Sequence, residues 1–213
     1  MAQCPKQKKL WKHGFFFAVL CLAAPVLAAA AAGGAYLIWF RHIHETPPPP
    51  DVSHIRPLLK NGDVILRSGV GLWSDMIRSR NTFDKRFSHV GIVAIGPGGS
   101  CHVIHAEADD LTGSGKVFLD SLEHYVNVSS EIGIGRLHCS DPDALVEAAK
   151  TFLGRPFDWE FNSTDNSAVY CTELIDLALR ELDPELRLPL VDGIILPEAC
   201  LMPDYFTEIP VGK

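Results

Sequence analysis

From Gly14 to Phe40 the chain carries no charged side chain, and Lys6, Lys8, Lys9 and Lys12 stand just before that run. At a rise of about 1.5 Å per residue, a helix of this length outreaches a hydrocarbon core of roughly 30 Å even when tilted. It is also longer than the apolar core of a secretory signal. The run therefore divides the chain. Residues 1–13 read as a basic cytoplasmic tail, 14–40 as a single transmembrane anchor, and the remainder as the extracytoplasmic part, because flanking lysines stay on the cytoplasmic side. Trp11, Tyr36, Trp39 and Phe40 fall at the interfacial aromatic positions. The rival reading is a signal peptide cleaved at Ala28-Ala29-Ala30, which would secrete the remainder. Cleavage would leave apolar Tyr36 to Phe40 on a soluble protein, so the anchor is the expectation. A lipoprotein is disfavoured, since Cys21 lies within the run without small residues immediately before it.

Residues 41–51 form a Pro-rich linker, in which Glu45-Thr46 and Pro47 to Pro50 read as an extended polyproline spacer. Residues 52–213 have the length of one domain and no internal repeat. The whole chain has a net charge of −7; beyond residue 50, fourteen basic and twenty-five acidic residues leave −11. Such a surface repels nucleic acid and anionic head groups, so no nucleic-acid partner is expected and the basic tail is a topology signal. Membrane contact runs through the N-terminal helix alone. Nothing in the sequence sets an oligomeric state.

Within this domain two segments carry chemistry. Phe87-Ser88-His89-Val90-Gly91-Ile92-Val93 reads as a largely buried strand with His89 at its leading edge, ending at Gly96-Pro97-Gly98-Gly99. Downstream, Leu174, Ile175, Ala178, Leu179 and Leu182 recur at helical spacing, which predicts one apolar stripe on a helix opened by Cys171. A thiol attacks as thiolate, and a helix N-terminus favours that form, so the Cys171 pKa is expected below its ordinary value of roughly 8.5. A second strand, Cys101 to Ala108, places Val103, His105 and Glu107 on one face. Antiparallel pairing across the glycine-rich turn sets that face beside His89. A catalytic imidazole needs a partner on its second nitrogen, and both His105 and Glu107 qualify.

Four motifs occur in the order Asn61-Gly62-Asp63-Val64-Ile65-Leu66, Ser88-His89-Val90-Gly91-Ile92-Val93, Val103-Ile104-His105-Ala106 and Tyr170-Cys171-Thr172-Glu173-Leu174. Together they resemble the circularly permuted, papain-like branch of the NlpC-type cysteine hydrolases, which includes the YiiX and YaeF-like amidases and is related to the lecithin:retinol acyltransferases. The resemblance spans about residues 58 to 180. It implies an α+β, circularly permuted papain-like fold, with an antiparallel sheet packed against the helix that carries the cysteine. It also implies Cys171 as nucleophile, His89 as general base and later acid, and His105 as orienter, with Glu107 as the alternative third residue. Tyr170 is a candidate to shape the oxyanion site beside the backbone N–H of Cys171. The Gly154-Arg155-Pro156-Phe157-Asp158 stretch matches a family segment in which the aspartate is structural.

The remaining residues of the domain supply scaffold. Gly71 to Arg78 reads as a short helix near the site, with Trp73 either lining a substrate groove or filling the core. Val117 to Tyr125 and Gly133 to Leu137 add strand and helix pieces, and Asp141-Pro142-Asp143 caps a helix from Ala144 to Leu153. His102 and His105 are three apart, which on a strand points them to opposite faces, and neither His-Glu-x-x-His nor Cys-x-x-Cys is present. No metal and no cofactor are therefore expected. Cys101, Cys139 and Cys200 are given no catalytic role, and their spacings define no disulfide framework.

The expected activity is cleavage of an amide or ester through an acyl-cysteine intermediate, on a cell-wall peptide or a lipid-linked acyl substrate. An acyltransferase using the same intermediate and an inactive binding module of the same fold are the alternatives. A thiol oxidoreductase is disfavoured by the lack of Cys-x-x-Cys.

Overall fold

The computed structural model describes residues 31, 33, 34, 48–109, 112–138 and 141–212. The expected anchor at 14–40 falls, apart from three positions, outside these residues, as do most of the linker and Cys139. No helix among the described residues is long and apolar enough to cross a membrane.

The domain is built on a six-stranded sheet in which every neighbouring pair is antiparallel. In chain order the elements are α1 (Val52–Ile55), β1 (Val64–Ser68), α2 (Leu72–Arg80), β2 (His89–Ile95), β3 (Cys101–Ala108), β4 (Gly115–Ser121), α3 (Leu122–Asn127), β5 (Glu131–Leu137), α4 (Pro142–Lys150), α5 (Cys171–Leu182), β6 (Leu190–Val191), β7 (Ile194–Ile195) and β8 (Phe206–Ile209). The strand order is β4-β3-β2-β1-β5-β8, with β6 and β7 forming a separate ribbon. The β2–β3 hairpin turns through Gly96 to Ser100, where Gly98 and Gly99 take φ of 74° and 79°, a region favouring residues without Cβ.

Both faces of the sheet are covered, which is why the central strands are apolar on alternate and intervening positions alike. On one face Val64, Leu66, Val90, Ile92 and Ile104 pack with Leu145, Ala149, Leu174, Ile175 and Ala178 from α4 and α5. On the other, Ile65, Val93, Val103 and Ile134 pack with Ile55, Leu122, Tyr125 and Val126 from α1 and α3. The expected α+β sandwich of sheet and cysteine helix is thus present.

Helix α4 begins two residues earlier than its apolar spacing suggested: Pro142 is accepted in the first turn, where its missing N–H costs nothing, and Asp141 accepts from Ala144 N at 2.9 Å. Helix α5 departs further from expectation. It is buried from Thr172 through Leu179 without interruption, Glu173 and Asp176 included, rather than along one stripe. Asp176 is tolerated there because it accepts from Leu188 N and Arg180 Nε, both at 2.7 Å.

Candidate active site

Cys171 and His89 come from opposite sides of the sheet. Register places Arg67 opposite His89, Ile65 opposite Gly91, Val93 opposite Val103, and Val103 opposite Asp120. With a period of two, His89, His105, Arg67 and Asp120 therefore share the face covered by α1 and α3. Cys171 arrives on α5, from the other face. The two meet because His89 is the first residue of β2, and the N–H of Val90 reaches the Cys171 sulfur.

The imidazoles of His89 and His105 are joined edge to face, with His89 Nε2 3.0 Å from His105 Nδ1. His105 Nε2 stands 3.0 Å from Asp120 Oδ2. Because a carboxylate only accepts, His105 carries its proton on Nε2, its Nδ1 accepts, and His89 donates from Nε2. The ring nitrogen of His89 left outside this chain is Nδ1. Gly91 makes the approach feasible: a Cβ there would lie 3.0 Å from His105 Cβ and overlap Val103 Cγ1. Beneath both rings lies Tyr125, fully buried, its hydroxyl donating to Ile65 O at 3.1 Å and its ring centroid 5.0 Å from that of His105.

His105 therefore occupies the post behind His89. Glu107 sits at its side, Oε2 3.6 Å from His105 Nδ1, while Oε1 pairs with the buried guanidinium of Arg67. Arg67 also lies over the Tyr125 ring at 4.7 Å. Asp120, Arg67 and Tyr125 were not singled out from sequence. Asp120 was within reach of pattern reasoning, since a carboxylate two strands along can meet His105 once the β3–β4 register is known.

Burial dominates the electrostatics. It pushes the Cys171 thiol up to about 11, against the pull of the N–H groups of Val90, Thr172 and Cys171 and of the Arg67 charge. It holds His89 well below its usual range, reinforced by Arg67 and His105, and lowers His105 as well. The expectation of a depressed thiol pKa is thereby corrected: the helix N-terminus acts on the sulfur, but desolvation outweighs it, and the resting pair is neutral thiol and neutral imidazole.

Cys171 and His89 open into one cleft of about 120 Å³. Its walls include Trp73, Phe157, Trp159, Phe161, Ile194, Leu196 and Pro197, with Arg67 and Glu107 at one end. Trp73 is 41% exposed on α2 and stacks edgewise on Trp159 at 5.6 Å, so it lines the groove and does not fill the core. Tyr170 borders the cleft, but its hydroxyl is committed to Ser163 Oγ at 2.8 Å and Ile195 N at 3.1 Å. That hydroxyl holds the flanking segments together. Asp158 accepts from Glu160 N and Asn162 N at 2.8 and 2.6 Å, the structural role expected of it, and shapes the turn that carries Trp159 and Phe161. Cys101 and Cys200 are buried free thiols.

His102 does lie on the opposite face from His105, as its spacing required. The fold nevertheless gathers a donor set that spacing could not reveal: ligand atoms of His89, His105 and Glu107 all lie within 4.8 Å of one another.

Comparison with known proteins places this geometry in context. A family model described as "Permuted papain-like amidase enzyme, YaeF/YiiX, C92 family" matches residues 58–188, more than half of the chain. Among solved structures, the chain is similar to a protein from Escherichia coli O157:H7 described as metalloprotein yiiX, with a TM-score of 0.58 and 18% identity, over 72% of this chain and 97% of that one. No curated protein matches it in sequence.

Proposed function

The chain belongs to the permuted papain-like amidases of the YaeF/YiiX type and is a cysteine hydrolase; on that premise we propose that it is membrane-tethered and that Cys171 accepts an apolar acyl group from an amide or ester. The observation that carries this reading is the chain of hydrogen bonds from His89 through His105 to Asp120, ending at the cleft that holds Cys171.

With the thiol neutral at rest, the sulfur needs a base at the moment of attack. His89 Nδ1, the nitrogen not engaged by His105, takes the thiol proton as sulfur bonds to the carbonyl carbon. The imidazolium so formed donates through Nε2 to His105, which donates to the Asp120 carboxylate, so the new charge faces an anion across two aligned hydrogen bonds. The tetrahedral oxyanion is met by the Cys171 N–H at the start of α5. Its collapse breaks the C–N or C–O bond while His89 Nδ1–H protonates the leaving group. Water, deprotonated by His89, then attacks the thioester and releases the acid with the thiol restored. The apolar walls favour a lipid-linked acyl substrate over a cell-wall peptide. The tether rests on the charge-free run from Gly14 to Phe40.

The test uses the full chain in carbonate-washed membranes, offered octanoyl para-nitrophenyl ester, octanoyl para-nitroanilide and a muramyl peptide. The expected result is release of octanoic acid, an octanoyl adduct on Cys171 by mass spectrometry, and a loss of at least about a thousandfold in Cys171→Ser. Activity confined to the soluble fraction would remove the tether. Cleavage of the peptide alone would remove the apolar acyl group, transfer to an added alcohol in place of hydrolysis would make the enzyme an acyltransferase, and absence of any adduct would leave a binding module.

A further inference from the structure

His89 Nε2, His105 Nδ1 and a Glu107 oxygen converge on one point, and two of the three edges between them measure 3.0 and 3.6 Å. The third is no longer than 4.8 Å. A tetrahedral ion with metal–nitrogen and metal–oxygen bonds of about 2.0–2.2 Å has ligand–ligand edges of about 3.3 Å, so the two imidazoles must open slightly from their 3.0 Å hydrogen bond and the partly exposed Glu107 side chain must turn to enclose one. The surroundings are those of a ligand set as well. His105 is held from behind by Asp120, the carboxylate–histidine arrangement that fixes a ligating tautomer, and Glu107 is held through its other oxygen by Arg67. Two imidazoles and a carboxylate suit zinc and its neighbours among the divalent transition metals.

We propose that His89, His105 and Glu107 form a divalent transition-metal site whose occupation and the proton relay exclude one another, so that a bound ion holds the hydrolase idle. The exclusion follows from tautomers and rests on the hydrolase reading above. In the relay, His89 carries its proton on Nε2 and offers a lone pair from Nδ1. To bind an ion through Nε2 it moves that proton to Nδ1, with no net change in protonation. Nδ1–H cannot accept the thiol proton, and His105 Nδ1, now on the metal, can no longer receive a hydrogen bond. Cys171 keeps its proton and the attack has no base.

The experiment titrates the metal-free full chain with cobalt(II) as a spectroscopic stand-in for zinc. It follows the visible absorption of the bound ion, the imidazole tautomers by nitrogen-15 NMR, and hydrolysis in parallel. One ion per chain is expected, with the intense bands of a four- or five-coordinate site and the His89 proton moving from Nε2 to Nδ1. Hydrolysis should fall in proportion to occupancy and return on chelation. His105→Gln and Glu107→Gln should each weaken cobalt binding more than tenfold, and His102→Ala, on the opposite face, should leave it unchanged. Absence of binding to the wild type, equal affinity in the Gln variants, or full hydrolysis by the loaded protein would each overturn the proposal. The optical and NMR readouts need no turnover, so they fail separately from the hydrolase reading.

Discussion

The hydrogen bond from His105 to Asp120 makes a neutral pair of histidines into a directed relay, because the carboxylate fixes which nitrogen of each ring bears the proton. An asparagine at position 120 can present N–H to His105 instead, which moves the His105 proton to Nδ1 and removes the acceptor that His89 uses. Asp120→Asn is therefore expected to lower kcat/KM on the order of a hundredfold, mostly through kcat, as steady-state kinetics would read. A loss smaller than about threefold would end the relay at His105. Cys171 and His89 were legible in the sequence, since each opens an element whose periodicity announces it, and His105 was legible from the two-residue period of β3 that sets it beside His89. Asp120, Arg67 and Tyr125 were not, because nothing local distinguishes them from an ordinary strand carboxylate, strand cation or core aromatic. Their roles exist only once four strands and α3 are in register.

Helix α5 has a buried ionisable group two residues beyond Cys171. Glu173 is fully buried, accepts from Tyr170 N at 3.4 Å through Oε2, and has no partner for Oε1. Burial, together with Asp158 and Asp176 nearby, raises its pKa to about 7 from 4.5, while the Tyr170 N–H and Arg180 pull the other way. The folded state thus holds this proton more tightly than the unfolded chain, so its contribution to stability is intact below pH 4.5 and declines as pH rises to about 7. At 1.36 kcal/mol per pKa unit the loss approaches about 3 kcal/mol. Urea denaturation at pH 5 and pH 8 should show the wild type losing on that order relative to Glu173→Gln, and parallel behaviour of the two would refute it. Apolar spacing located α5 and its starting residue. Its burial on the polar side was invisible, because the segments that cover that side, around Asp158 and Leu188, reach it only through the tertiary fold.

At the scale of the molecule, the connection between α2 and β2 is fastened to the segment between β7 and β8 by one carboxylate. Glu198, 3% exposed, accepts from Thr82 N and Oγ1 at 2.7 Å, Phe83 N at 2.7 Å and Asp84 N at 2.9 Å. Burial would raise its pKa, but the backbone N–H groups of Asp84, Thr82 and Phe83 and the Thr82 hydroxyl outweigh it and hold it below its usual range. That stabilisation is present above pH 4.5 and is lost as pH falls through the lowered value. Glu198→Ala strands these donors and should destabilise the full chain by about 3 kcal/mol at pH 7, with the difference from wild type shrinking in acid. An unchanged midpoint in urea would deny the strap its role. The sequence by itself determined the periodicities, the turn glycines, the order of base before nucleophile and the charge-free run at the N-terminus, because each is a property of neighbouring residues acting under local sterics and hydrophobicity. Only the tertiary structure decided that Cys171 and His89 approach from opposite faces of one sheet, that desolvation outweighs the helix N-terminus at the sulfur, and that Asp120 and Arg67 stand beside the two histidines. Burial and through-space charge depend on residues far apart in the chain, and no local pattern encodes them.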